Sequence, residues 1–233
     1  MNTELIVMLT HNDLTVRNAY QVFEQCKDTK ALYWGFKEKP LPIEEMRRIY
    51  AKMKDCGKRT VLEVVAYSEK EGLEGAQMAA SCGCDILMGT CFHDSILQFC
   101  QLHNITYMPF VGRITGRPSV LEGSVESMLA EAERLKALGV SGVDLLGYRY
   151  TDNAQQLVSD MVSKSGVQVC VAGSINSYER LRFIKKVQPW AFTIGSAFFD
   201  CKFGSSMAKQ INKVCDFINS EETVLSDAVP LCV

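Results

Sequence analysis

Residues 166–201 read GVQVCVAGSINSYERLRFIKKVQPWAFTIGSAFFDC, and the reading of this stretch decides the fold. The run 168–171 is short, apolar and rich in β-branched side chains, and it closes on Ala172-Gly173-Ser174. Apolar residues then recur at helical spacing over 178–187. A second strand-like run follows at 191–194 and closes on Gly195-Ser196-Ala197. Two successive strands therefore each finish in Gly-Ser. Glycine lets the main chain approach an anion without a Cβ in the way, and serine adds a hydroxyl beside the backbone N–H groups. Set side by side, two such turns offer what a phosphate dianion needs. Either turn alone is also an ordinary strand-to-helix connection; the repetition carries the reading.

Outward from this unit, the same alternation fills the chain. Strand-like runs at 5–9, 31–36, 60–67, 85–89, 106–111 and 142–147 precede the pair. Helical patterns follow them at 16–27, 43–55, 70–81 and 95–103, then from Ser119 to about 138, up to Lys164, and finally over 207–219. Ser119 is the expected N-cap of the fifth helix, and Thr151 or Asp152 that of the sixth. Residues 83–89 and 141–147 repeat one helix-end-to-strand phrase. Eight strands alternating with eight helices are the mark of parallel βαβ units. The 233 residues match the ~250 of one closed eight-fold barrel. The fold expected is α/β, a single (β/α)8 TIM barrel over residues 1–220. A tail at 221–233 is expected to be partly disordered or to pack on a neighbour. An open doubly wound sheet ranks second, because no G-x-G-x-x-G follows the first strand.

Composition narrows the function classes. Hydrophobic content of 47% against 22% charged residues excludes a disordered chain. A net charge of −2 without a basic run argues against a nucleic-acid or membrane-surface partner. No apolar run approaches the ~20 residues of a membrane span, and no signal peptide opens the chain, so a cytoplasmic location is expected. The ten cysteines are scattered, and only Cys82-Gly83-Cys84 forms a close pair. With no histidine nearby they read as reduced, small core residues, and neither a metal nor a cofactor is expected. A homodimer, paired through helices or the apolar tail, is the oligomer to expect.

In a barrel, chemistry belongs at the C-terminal strand ends. Lys37 and Glu38 close the second strand. Glu63 lies inside the third, in Val61-Leu62-Glu63-Val64-Val65, where both faces of a covered parallel strand are ordinarily apolar. A carboxylate there is costly unless paired or used, and Lys37 on the adjacent strand is its natural partner. The two read as an acid/base couple, as a lysine desolvated enough to attack a carbonyl, or as a structural ion pair. Asp13, after the first strand, is either a helix cap or a substrate contact. His11 and His93 stand near strand ends in secondary roles. Arg113 follows strand five and Arg149 strand six; both offer forked donors to a carboxylate or phosphate, and Arg117 does likewise. Tyr148 beside Arg149 has a phenol to donate.

The stretches Val171-Ala172-Gly173-Ser174-Ile175 and Thr193-Ile194-Gly195-Ser196-Ala197 resemble the phosphate-binding (β/α)8 barrels. That group includes ribulose-phosphate-binding enzymes, indole-glycerol-phosphate synthase and N-acetylmannosamine-6-phosphate epimerase. Residues 142–148 running into Ala172-Gly173-Ser174 are most similar to the epimerase. The resemblance implies that Gly173, Ser174, Gly195 and Ser196 grip a phosphate. It stops at one position: the epimerase-type loop carries a glutamate before its glycine, where this chain has Ala172, so that acid/base role is not carried over. The function expected is proton abstraction next to a carbonyl in a small phosphorylated substrate, a sugar phosphate or phosphorylated keto acid. That is isomerase or epimerase chemistry, with Lys37 and Glu63 as catalytic residues. An aldolase or decarboxylase on a similar substrate, and a non-catalytic sensor of a phosphorylated ligand, are the alternatives.

Overall fold

A short apolar strand cannot stay in water alone; it buries one face inside a sheet and the other under helices. The computed structural model, which describes residues 3–220, shows this solution carried round a ring. The strands are β1 (Glu4–Met8), β2 (Tyr33–Lys37), β3 (Arg59–Ala66) and β4 (Ile86–Thr90), then β5 (Thr106–Met108), β6 (Gly142–Leu145), β7 (Gln168–Val171) and β8 (Ala191–Ile194). They pair in parallel in the order β6-β7-β8-β1-β2-β3-β4-β5. At the seam Phe110 bridges Asp144, whose N–H donates to the Pro109 carbonyl at 2.9 Å. Pro109 has no N–H to give, which is why the β5 ladder stops at Met108. The result is a nearly closed parallel barrel, a single (β/α)8 TIM barrel.

Around it lie α1 (Ala19–Cys26), α2 (Ile43–Asp55), α3 (Glu69–Ser81), α4 (Asp94–Leu102) and α5 (Val125–Ala137). Then come α6 (Ala154–Lys164), α7 (Tyr178–Val187), a short α8 (Ser196–Phe199) and α9 (Met207–Asn219). Strand periodicity divides the core in two. Ile6, Met8, Val61, Ile86, Met88, Met108, Cys170 and Ala191 fill the barrel interior, while Phe36, Leu62, Val64 and Leu87 pack outward among the helices. Since Phe36 points out, Lys37 points in, and the register sets it opposite Glu63. The interior is tight: a Cβ on Gly35 would stand 2.4 Å from the Val61 carbonyl oxygen. The nine described cysteines are unbonded, and most are buried.

Four expectations change. The fifth helix does not begin at Ser119; Arg113–Thr115 and Val120–Glu122 form an antiparallel hairpin turning through Gly116, whose φ is +74°. Helix α5 is instead capped by Ser124, whose hydroxyl accepts from the Ser127 N–H at 3.1 Å. Helix α6 is capped by Asn153 rather than Thr151 or Asp152, accepting from Gln156 N–H at 3.0 Å. A second hairpin, Thr10–His11 with Leu14–Thr15, delays α1 to Ala19; its tip residues Asn12 and Asp13 have φ of 51° and 64°, a type I′ turn. Helix α8, right after Gly195, is an addition to the eight expected and brings the α-helices to nine among the described residues. The tail expected at 221–233 lies outside those residues.

Candidate active site

The charged residues inside the barrel are gathered at the C-terminal strand ends. Lys37 ends β2, and its Nζ lies 3.0 Å from Asp13 Oδ1 and 3.4 Å from Glu63 Oε1. The Arg149 Nη2 lies 3.0 Å from the same Asp13 oxygen. Asp13 reaches this point because the β1 hairpin turns its tip over the barrel mouth, so it is a bridge between two cations rather than a helix cap. Burial alone would lower the Lys37 pKa, but Glu63 and Asp13 beside it hold it above the ordinary lysine value. Burial pushes Asp13 up, and the bonds from Arg149 and Lys37 outweigh it, so Asp13 titrates below the usual carboxylate range. Lys37 is thus an ammonium and Asp13 a carboxylate.

Sequence reasoning passed over Asp144, on the interior face of β6. It is fully buried, and neither carboxyl oxygen has a hydrogen-bond partner among the described residues. Desolvation first, and then the nearby Glu63, drive its pKa well above the ordinary aspartate value. Formal charge gives the same answer. Lys37 and Arg149 are already balanced by Asp13 and Glu63, so a third carboxylate would have no cation left, and the ionised form of Asp144 is disfavoured.

The turns after β7 and β8 meet beside this cluster. Gly173 and Ser174 both hold left-handed backbone, with φ of 85° and 52°. A Cβ at Gly173 would come within 2.9 Å of the Arg149 side chain, and one at Gly195 within 2.4 Å of Thr10 Oγ1. Both glycines therefore answer to close approach. The Ser174 carbonyl accepts from Arg180, and the Ser196 hydroxyl accepts from the Asn12 N–H at 3.1 Å. A cavity of ≈170 Å³ joins the two regions: Gly173, Ser174, Gly195 and Ser196 line it together with Asp13, Lys37, Glu63 and Arg149. Ala172 lines it too, where the epimerase-type glutamate would stand.

Two expected substrate contacts are not brought there. Arg113 belongs to the hairpin after β5, is 72% exposed and pairs with Glu122 at 2.9 Å. Tyr148 lies under the Arg180 guanidinium, 4.5 Å from the ring centre, with its hydroxyl buried outside the cavity lining. His11 bonds Asp200 at 3.0 Å on the rim. Among the described residues no three His, Cys, Asp or Glu side chains group to hold a metal ion, and no helix is long and apolar enough to cross a membrane.

No family model and no curated protein sequence matches the chain. Solved structures do match in shape. Orotidine 5′-phosphate decarboxylase from Pyrococcus horikoshii OT3 superposes with a TM-score of 0.69 at 14% identity, covering 92% of this chain and 99% of that one. A native KDPGal structure gives 0.64 at 14%, covering 91% and 93%. The N-acetylmannosamine-6-phosphate 2-epimerase from Clostridium perfringens gives 0.61 at 14%, covering 90% of each. At that identity the likeness speaks for the fold alone: this chain has the (β/α)8 barrel that those proteins share.

Proposed function

We propose that this chain is an enzyme that moves a proton at a carbon next to a carbonyl in a small phosphorylated metabolite. The substrate class is a sugar phosphate or a phosphorylated keto acid, and the reaction is of the isomerase or epimerase type. The observation that carries this is one cavity lined both by the paired Gly-Ser turns and by the Lys37–Glu63 couple.

The phosphate binds at Gly173, Ser174, Gly195 and Ser196, and this remote grip fixes the reacting carbon near β2 and β3. Glu63 takes the proton, and the electron pair moves onto the carbonyl oxygen. The Lys37 ammonium and the Arg149 guanidinium neutralise that oxyanion in a largely buried setting. Return of the proton to the former carbonyl carbon, with the neighbouring hydroxyl proton passing to the old carbonyl oxygen, gives an isomer; protonation of the original carbon from the face opposite Glu63 gives an epimer. Asp13 is a positioning residue, since one of its oxygens holds both cations. A Lys37 imine is disfavoured, because imine formation needs the neutral amine and its two carboxylate neighbours keep it protonated.

The test is Lys37→Met and Glu63→Gln, made separately. Phosphorylated sugars and keto acids are screened in D₂O by NMR for loss of the C–H signal next to the carbonyl. Each variant is expected to cut exchange on the active compound by at least about 100-fold. Survival of both variants to within about tenfold of wild type removes the pair from the chemistry. Thermal stabilisation by these compounds with no exchange in the wild type supports the sensor instead.

A further inference from the structure

A second cavity, of ≈280 Å³, opens from the same mouth and shares Asp13 and Lys37 with the first. Its far side is built from the hairpin after β5. That hairpin is pinned: the Tyr67 hydroxyl bonds Gly116 O at 2.8 Å and Ser119 Oγ at 2.7 Å, and Arg117 donates to Val65 O. Arg149 spans the two lobes, reaching Asp13 with one nitrogen and the Ser119 carbonyl, at 3.5 Å, with another. Leu14, Val65 and Pro118 give the second lobe an apolar wall, and Leu14 is left 52% exposed at its edge.

Lys39 and Arg117 also line this lobe. Among the described residues no carboxylate stands within 4.0 Å of either cation. Asp13 is engaged by Lys37 and Arg149, and Glu38 lies beyond 4.0 Å from every described Lys and Arg nitrogen. Two cations without a counter-charge in a preformed concave site suit an anionic ligand group, and Glu38 is left to accept a hydroxyl.

From this we infer that the second lobe holds the non-phosphorylated end of the substrate, and that this end is a carboxylate. The proposal rests on the phosphate reading above and narrows it. Of the two substrate classes, it selects a phosphorylated keto acid with its anions at opposite ends of the chain. Lys39 and Arg117 are its specificity-determining residues, and the proton transfer at Lys37 and Glu63 takes place on the carbons between.

Three probes separate the contributions in calorimetric titrations of the full chain: 6-phosphogluconate, glucitol 6-phosphate and inorganic phosphate. The first two share six carbons and a phosphate, and differ in a carboxylate against a hydroxymethyl group. Wild type is expected to bind 6-phosphogluconate at least about tenfold more tightly than glucitol 6-phosphate. Lys39→Met, and Lys39→Met with Arg117→Met, are expected to erase that ratio while leaving glucitol 6-phosphate and phosphate unchanged. Should Arg117→Met loosen the hairpin, the exposed Lys39 variant and Arg117→Lys carry the comparison, the latter retaining the ratio. Equal binding of 6-phosphogluconate and glucitol 6-phosphate in wild type, or a ratio that survives loss of both cations, overturns the proposal. If 6-phosphogluconate binds through Lys39 and Arg117 while the other two probes do not bind, the carboxylate lobe stands and the phosphate grip falls. If none of the three binds, both fall.

Discussion

Asp13 shows how one side chain can organise a site without doing its chemistry. Its Oδ1 lies 3.0 Å from Lys37 Nζ and 3.0 Å from Arg149 Nη2, so removing its charge leaves two cations facing each other across the cavity mouth. Asp13→Asn is expected to destabilise the fold by about 1–3 kcal/mol at neutral pH, a partly exposed site costing less than a fully buried pair. The folded pKa of Asp13 is depressed, so its contribution is present above the ordinary aspartate value of 3.8 and is lost as pH falls through the folded value. Chemical denaturation of wild type and variant across pH checks this: the gap should close toward the acid end. A gap that persists there unchanged would mean that Asp13 acts through hairpin geometry alone. At this scale the sequence was half legible. Glu63 stood out because a carboxylate inside a covered strand demands a partner. Asp144 meets the same criterion, yet its phrase looks like the one around Asp85, which stands ahead of β4 and is bonded by Thr60 and Lys54. Only packing separates the two.

At the scale of elements, the long runs were legible and the short ones were not. Helices of ten or more residues carry their period in the sequence, as α2, α3, α7 and α9 do. The hairpin strands have two or three residues each, too few for a period to show, so both hairpins were read as parts of helices or loops. Strand parity on β2 was equally hidden until Phe36 was seen facing the helices. The Gly-Ser turn after β8 makes the sharpest demand on one element. Its glycine packs against the β1 hairpin, with a Cβ position 2.4 Å from Thr10 Oγ1 and 2.9 Å from the Thr10 carbonyl oxygen. Gly195→Ala is expected to cost about 1–3 kcal/mol of stability, as overpacking does, and to weaken phosphate binding by shifting Ser196. Adding Thr10→Ala should recover only part of the loss, because the carbonyl contact stays. Full recovery of stability in the double variant would show that the hydroxyl alone sets the limit.

For the whole molecule, the place where the barrel closes is also where the buried Asp144 carboxyl is kept dry. Between β5 and β6 the ladder reduces to the Asp144 N–H donating to Pro109, together with the Phe110–Asp144 bridge. The neighbouring seams are longer: β4 and β5 pair over three residues, and β6 and β7 over four. This makes the seam the part of the barrel expected to open first. Opening it admits water to the Asp144 carboxyl, whose folded pKa is raised, so the closed state binds the proton more tightly than the open one. The closed seam is therefore favoured at low pH and loses stability as pH climbs above 3.8 toward the folded value. Hydrogen exchange corrected for intrinsic rates should find the Asp144 amide less protected than the β3 and β4 amides, its protection falling as pH rises. Asp144→Asn keeps the shape and removes the proton, so its seam protection should be independent of pH and its stability should gain on wild type with increasing pH. A wild-type seam whose protection ignores pH would mean that Asp144 stays sealed when the strands part. The charge balance drawn between Asp144, Glu63 and the two cations would then have no bearing on how the barrel holds together.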